Sequence, residues 1–166
     1  HRKRVIDPFV GGARQTACRA GEAPLWTVAA MQALSRPLTA VYNIGFAPKS
    51  PKVRLIREGL YQNLRLSRRA PALVLWAEVF WVEAGDKVRF HVTGPNGASI
   101  MDYSNILSNR EARRVIFAGR KKRGMFWPTG KYTGEIVIER LVASGQTQRF
   151  TARSDVEIVD QRENYN

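Results

Sequence analysis

The segment ALVLWAEVFWV, Ala72 to Val82, constrains the fold of this chain more than any other stretch. It is rich in β-branched and aromatic residues and is interrupted by a single charge, Glu78. A membrane-spanning helix needs about 18–20 consecutive apolar residues, so this segment is too short to be one. Its composition instead predicts a strand covered on both faces.

The residues after Val82 extend the β pattern. Ala84-Gly85-Asp86 reads as a turn. KVRFHVTG then alternates, with Val88, Phe90 and Val92 on one face and Lys87, Arg89, His91 and Thr93 on the other. Pro95-Asn96-Gly97 is a tight-turn signal, and ASIMDYS is its partner strand. RRVIFAG, Arg113 to Gly119, predicts another strand, with Arg120 to Gly124 as a basic loop. KYTGEIVIERL and QRFTARSDVEIV complete the set. Short strands joined by Gly/Pro turns predict a mainly β protein, an immunoglobulin-like antiparallel β-sandwich over residues 70–160.

The lead is less regular. Residues 1–22 hold one short strand candidate, Arg4 to Ile6, broken by Asp7-Pro8 and Gly11-Gly12. Pro24 fits the first turn of a short buried helix through LWTVAAMQAL, which Pro37 ends. LTAVYNIGF, Leu38 to Phe46, predicts a strand. KVRLIREGLY predicts a short helix ending near Gly59, and RLSRRAP a basic connector. Residues 13–69 are thus expected as a helical or irregular lead packed on the sandwich, with 161–166 as a polar tail.

Chemistry of its own is not apparent in the sequence. The two histidines, His1 and His91, form no H-x-H, H-E-x-x-H or H-x3-D pair, and Cys18 is the single cysteine. Neither a zinc site nor an internal disulfide is therefore expected. No G-x-S-x-G element, phosphate loop or selected carboxylate pair appears. We expect no catalytic or metal-ligating residue here, with His91 solvated on a polar strand face.

Charge is the strongest compositional signal. Lys and Arg number 27 against 14 acids, a net +13 over 166 residues. Such a surface attracts polyanions of any kind, with marked salt sensitivity. GRKKRGMFWPTGKY, Gly119 to Tyr132, concentrates it: Arg120, Lys121, Lys122 and Arg123 are consecutive, followed by Phe126 and Trp127. The four cations read equally as an anion-binding patch or as a solvated loop. Phe126 and Trp127 are candidate aromatic contacts, although the core-anchor reading is the stronger one for Trp127 and Tyr132. Arg65, Arg68 and Arg69 extend the candidate patch if the fold brings the two clusters together.

The opening residues carry a resemblance. KRVIDPF, with Val5, Ile6, Asp7 and Pro8, resembles the final strand and exit of the M23 (LytM-type) zinc metallopeptidase domain. APLW, NIGFAP, APALVLWAEVFWVEAGD, VTGPNG and FAGRKKRGMFWPTGKYTGEI resemble the non-catalytic C-terminal region of some proteobacterial M23-like proteins. The resemblance implies a processed or partial chain whose residues 1–12 trail an upstream peptidase-like domain. Any zinc would belong to that domain and no cofactor to this chain. It further implies a location in the periplasm or cell envelope. The expected partners are peptidoglycan or an acidic envelope protein, with the module serving binding, positioning or regulation. Two other readings stand beside it: a basic nucleic-acid-binding module, and a purely structural domain without a ligand.

Overall fold

A computed structural model describes residues 26–30 and 39–160. The chain divides into two units, His1–Leu38 and Thr39–Asn166. In the first, residues 28–30 are helical, and the Thr27 hydroxyl accepts the Ala30 N–H at 3.2 Å. That is an N-cap bond, and it sets the start of the turn. The expected burial of this helix is not seen in the part described, where Val28 is 75% exposed. Pro24, the strand candidate Arg4 to Ile6, the VIDPF element, His1, Cys18 and the tail 161–166 lie outside the described residues.

The second unit is mainly β. Its elements are β1 (Ala40–Ala47), α1 (Val53–Arg57), β2 (Arg65–Ser67), β3 (Ala72–Val82), β4 (Lys87–Thr93), β5 (Ser99–Ile106), β6 (Glu111–Lys121), β7 (Gly130–Leu141) and β8 (Thr147–Val159). One sheet runs β1-β3-β6 and the other β2-β8-β7-β4-β5. All pairings are antiparallel except β2 with β8, which is parallel.

Two expectations are corrected. Arg65 to Ser67, expected within a connector, is a strand. Leu66 is buried in the core opposite Ile158, and three residues are too few to show a period. Arg120 and Lys121, expected in a loop, are the end of β6, paired with Leu73 and Ala72. The long β3 holds its partner straight past the last apolar residue of RRVIFAG. Strands β1 and β2 fall within residues 13–69 and are integral to the sheets.

The two sheets share one core. Leu73, Leu75, Ala77 and Val79 of β3 meet Phe90 of β4, Tyr132, Ile136 and Ile138 of β7, and Val156 of β8. They approach closely at Gly134. A Cβ there would lie 2.6 Å from Leu75 Cδ1 and 2.7 Å from Phe46 Cζ. The alternate residues of β3 are covered on the opposite face, where Val74 and Trp76 pack with Ala47 and with Ile56 of α1. The predicted end of α1 is present: Gly59 adopts φ 75°, its N–H bonds to Ile56 O, and the Leu60 N–H bonds to Leu55 O.

Two buried carboxylates, in three ion pairs, hold this frame. Glu78, 1% exposed, accepts from Arg113 Nε at 2.6 Å and Arg57 Nε at 3.4 Å, joining α1, β3 and β6. Asp86, in the β3–β4 turn, accepts from Arg140 of β7 at 2.7 and 2.6 Å, and from the Glu83 N–H at 2.9 Å.

Two substitutions probe this packing. Gly134→Ala forces the sheets apart and is expected to cost about 1–3 kcal/mol of unfolding free energy in urea titration. Glu78→Gln removes the anion but leaves two cations with access to water, so about 1–3 kcal/mol is expected at neutral pH. The Arg113 guanidinium holds the Glu78 carboxyl below its ordinary value of 4.5. The pair's contribution is therefore complete above 4.5 and lost as pH falls through the lower folded-state value. Parent and variant should converge in acid.

Candidate functional site

The two basic clusters meet. The loop after β2 and the segment after β6 are joined by backbone bonds: Lys122 N–H to Pro71 O at 3.0 Å, and Trp127 N–H to Arg68 O at 2.9 Å. Arg68 N–H bonds in turn to Val159 O of β8 at 2.9 Å. Trp127 locks the junction. It is 7% exposed, and its indole N–H donates to Ala70 O at 2.9 Å. Its ring is therefore a core anchor and presents no face to a ligand. Phe126 lies outside, with the Arg68 guanidinium 4.2 Å and the Arg69 guanidinium 5.6 Å from its ring centroid.

The cations divide into paired and unpaired groups. Arg65 pairs with Glu157 at 3.1 Å and Arg68 with Asp160 at 3.2 Å. Arg69, Arg120, Lys121, Lys122 and Arg123 make no ion pair among the described residues. Two of these are held by carbonyls instead. Lys122 Nζ donates to Arg69 O at 3.2 Å and Met125 O at 3.0 Å, and Arg120 donates to Ile100 O.

The outer face of the five-stranded sheet behaves differently. There Arg89 bonds to Asp102 at 2.8 Å, Arg153 to Glu135 at 2.7 Å and Lys131 to Asp155 at 2.8 Å. The Arg89 guanidinium holds the Asp102 carboxyl below its usual range; Lys131, with the Thr133 hydroxyl, does the same for Asp155. His91 lies among these residues, in register with Asp102 and Glu135. Three cations of that face are thus paired, while Lys87 and Arg149, beside Glu139, make no ion pair among the described residues.

A groove adjoins the unpaired cations. It measures about 580 Å³ and lies between β5 and β6, with Met101, Tyr103, Phe117, Arg120 and Arg123 among its walls. Tyr103 is 49% and Phe117 48% exposed. Sequence reasoning did not single out these two aromatics. Tyr103 lies opposite Phe90 on the core-facing side of β5, at the rim of the sheet, and Phe117 lies opposite Trp76 on the outer side of β6; they become neighbours only because β5 and β6 are adjacent edges. A polar hollow of about 400 Å³ opens elsewhere, between β1 and β8, beside Asn43, Asn63 and Ser154.

Among the described residues, no group of three or more His, Cys, Asp and Glu side chains is placed to hold a metal ion. No helix among them is long and apolar enough to cross a membrane. No protein-family model matches the chain, and no curated protein matches it.

The two aromatics of the corner should separate in a stability measurement. Trp127→Ala is expected to cost about 3–5 kcal/mol, because it empties a buried site and orphans Ala70 O. Phe126→Ala, which removes an exposed ring, should cost less than about 1 kcal/mol.

Proposed function

We propose that this chain is a non-catalytic binding and positioning module of the bacterial cell envelope, carried downstream of an M23 (LytM-type) peptidase-like domain. The observation that supports binding is the cationic corner. Arg69 and the run Arg120 to Arg123 have no carboxylate partners among the described residues, with Phe126 against Arg69, whereas Arg89, Lys131 and Arg153 on the outer face of the five-stranded sheet are paired. Such a corner suits an anionic polymer, and the wall polymer peptidoglycan carries carboxylates. In this reading the chain resides in the periplasm, and zinc and any hydrolysis belong to the upstream domain. The sheets are read as an immunoglobulin-like sandwich. The support is a tyrosine at the start of β7, Tyr132, whose hydroxyl donates to Pro128 O at 2.8 Å, as tyrosine corners do in such folds.

The test is sedimentation of the purified chain with peptidoglycan sacculi. Binding at low ionic strength, weakening as salt is raised, is expected. Replacing the exposed Lys121 and Arg123 by Gln should weaken it about tenfold while leaving stability unchanged. No sedimentation at low salt overturns the wall-binding reading. Zinc-dependent release of wall fragments overturns the non-catalytic one. Displacement from sacculi by duplex DNA, with a steep salt dependence of DNA binding, would favour a nucleic-acid module.

A further inference from the structure

The two sheets end side by side in unpaired strands. β5 is the edge of the five-stranded sheet and pairs with β4 alone; β6 is the edge of the three-stranded sheet and pairs with β3 alone. The Arg120 guanidinium bridges the edges through Ile100 O. The groove of about 580 Å³ lies in this seam. A smaller hollow of about 170 Å³ shares Tyr103 and Phe117 with it and continues toward Asn105 and Arg114. The seam therefore runs along much of β6, with two half-exposed aromatics in its middle.

We infer that the seam takes an extended acidic segment of a protein partner, which adds as a strand to the free edge of β6 and covers Tyr103 and Phe117. The β6 edge is 11 residues long, about 35 Å of backbone donors and acceptors. Extended peptides gain affinity from such an edge through main-chain bonds, and specificity from the side chains alongside. β5 is the poorer template, because its Ile100 carbonyl is already taken by Arg120.

Charge selects the occupant. β6 carries Arg113, Arg114, Arg120 and Lys121 against Glu111. Glu78 and Glu111 pair with the first two, so the unneutralised charge gathers at the Arg120–Arg123 end of the seam. Cationic edges repel their own copies, so a second molecule of this chain, at net +13, is disfavoured. Carboxylates on an incoming strand are attracted. The inference rests on the seam alone and stands whether or not the chain binds peptidoglycan.

The test is amide hydrogen exchange on the full chain, with a capped peptide of alternating valine and glutamate as long as β5. Slowing of exchange over Glu111–Lys121 by about tenfold or more is expected. A valine–lysine peptide should not produce it, nor should polyglutamate at equal charge. Phe117→Ser should weaken peptide binding at least about tenfold at unchanged thermal stability, since the ring is half exposed. Four results would overturn the inference: no slowing with the valine–glutamate peptide, equal slowing with polyglutamate, complete protection of β6 before peptide is added, or protection that grows with protein concentration.

Discussion

Strand β3 is covered on both faces, and the rest of the second unit is arranged around that constraint. Its inward residues, Leu73, Leu75, Ala77 and Val79, hold the five-stranded sheet. Its outward residues, Val74 and Trp76, require a cover, and α1 with Ile56 supplies it. The same outward row contains Glu78. A carboxylate at 1% exposure is tolerable only with partners, because an unpaired charge in that position would cost far more than the packing returns. Arg113 from the neighbouring strand and Arg57 from the covering helix meet it. One buried anion thus specifies where α1 sits and which strand flanks β3.

The opposite end of β3 solves a different problem. Trp81 takes φ 58°, a left-handed conformation that costs a bulky residue free energy. Its carbonyl is held by the Thr39 hydroxyl at 2.7 Å and by Arg140 at 3.0 Å. Arg140 is in turn fixed by Asp86 in the following turn. The reversal turns Val82 rather than Trp81 toward the core, so the apolar face of β3 ends where the chain must leave the sheet. The two sheets are tied at this corner by a side chain of β7 reaching a backbone carbonyl of β3, which makes the strain at Trp81 and the Arg140–Asp86 pair parts of one device.

What the sequence discloses depends on the range of the interactions. Local signals are legible: the two-period of Val88, Phe90 and Val92, the turn at Gly97 with φ 72°, and the helix stop at Gly59. The double burial of β3 is legible because composition alone implies it. Interactions across long separations are not. Leu66 becomes a strand residue only through Ile158, more than half the chain away. The basic clusters are visible as runs, and their union at Trp127 is not, because it depends on Ala70 and Arg68 carbonyls that carry no sequence signature. The seam is less legible still, since Tyr103 continues the inward row of β5 and Phe117 the outward row of β6, and nothing local shows that the two rims meet.

The distribution of charge, rather than its amount, distinguishes one corner of this surface. Consecutive cations repel each other, and a structure can relieve this with carboxylates or with carbonyls. Carboxylates cancel the charge, as Asp102, Glu135 and Asp155 do on the outer face of the five-stranded sheet. Carbonyl dipoles fix the side chain and leave its charge projecting, as Arg69 O, Met125 O and Ile100 O do for Lys122 and Arg120. The second solution keeps a field that reaches about 8–10 Å into physiological saline before it is screened. Arg120 and Arg123 line the groove, so its cationic end lies inside that distance, and an acidic strand would meet the field before it meets the aromatics. Attraction then acts at encounter and the β6 edge at docking, a division in which charge sets which segments arrive and main-chain pairing sets which remain.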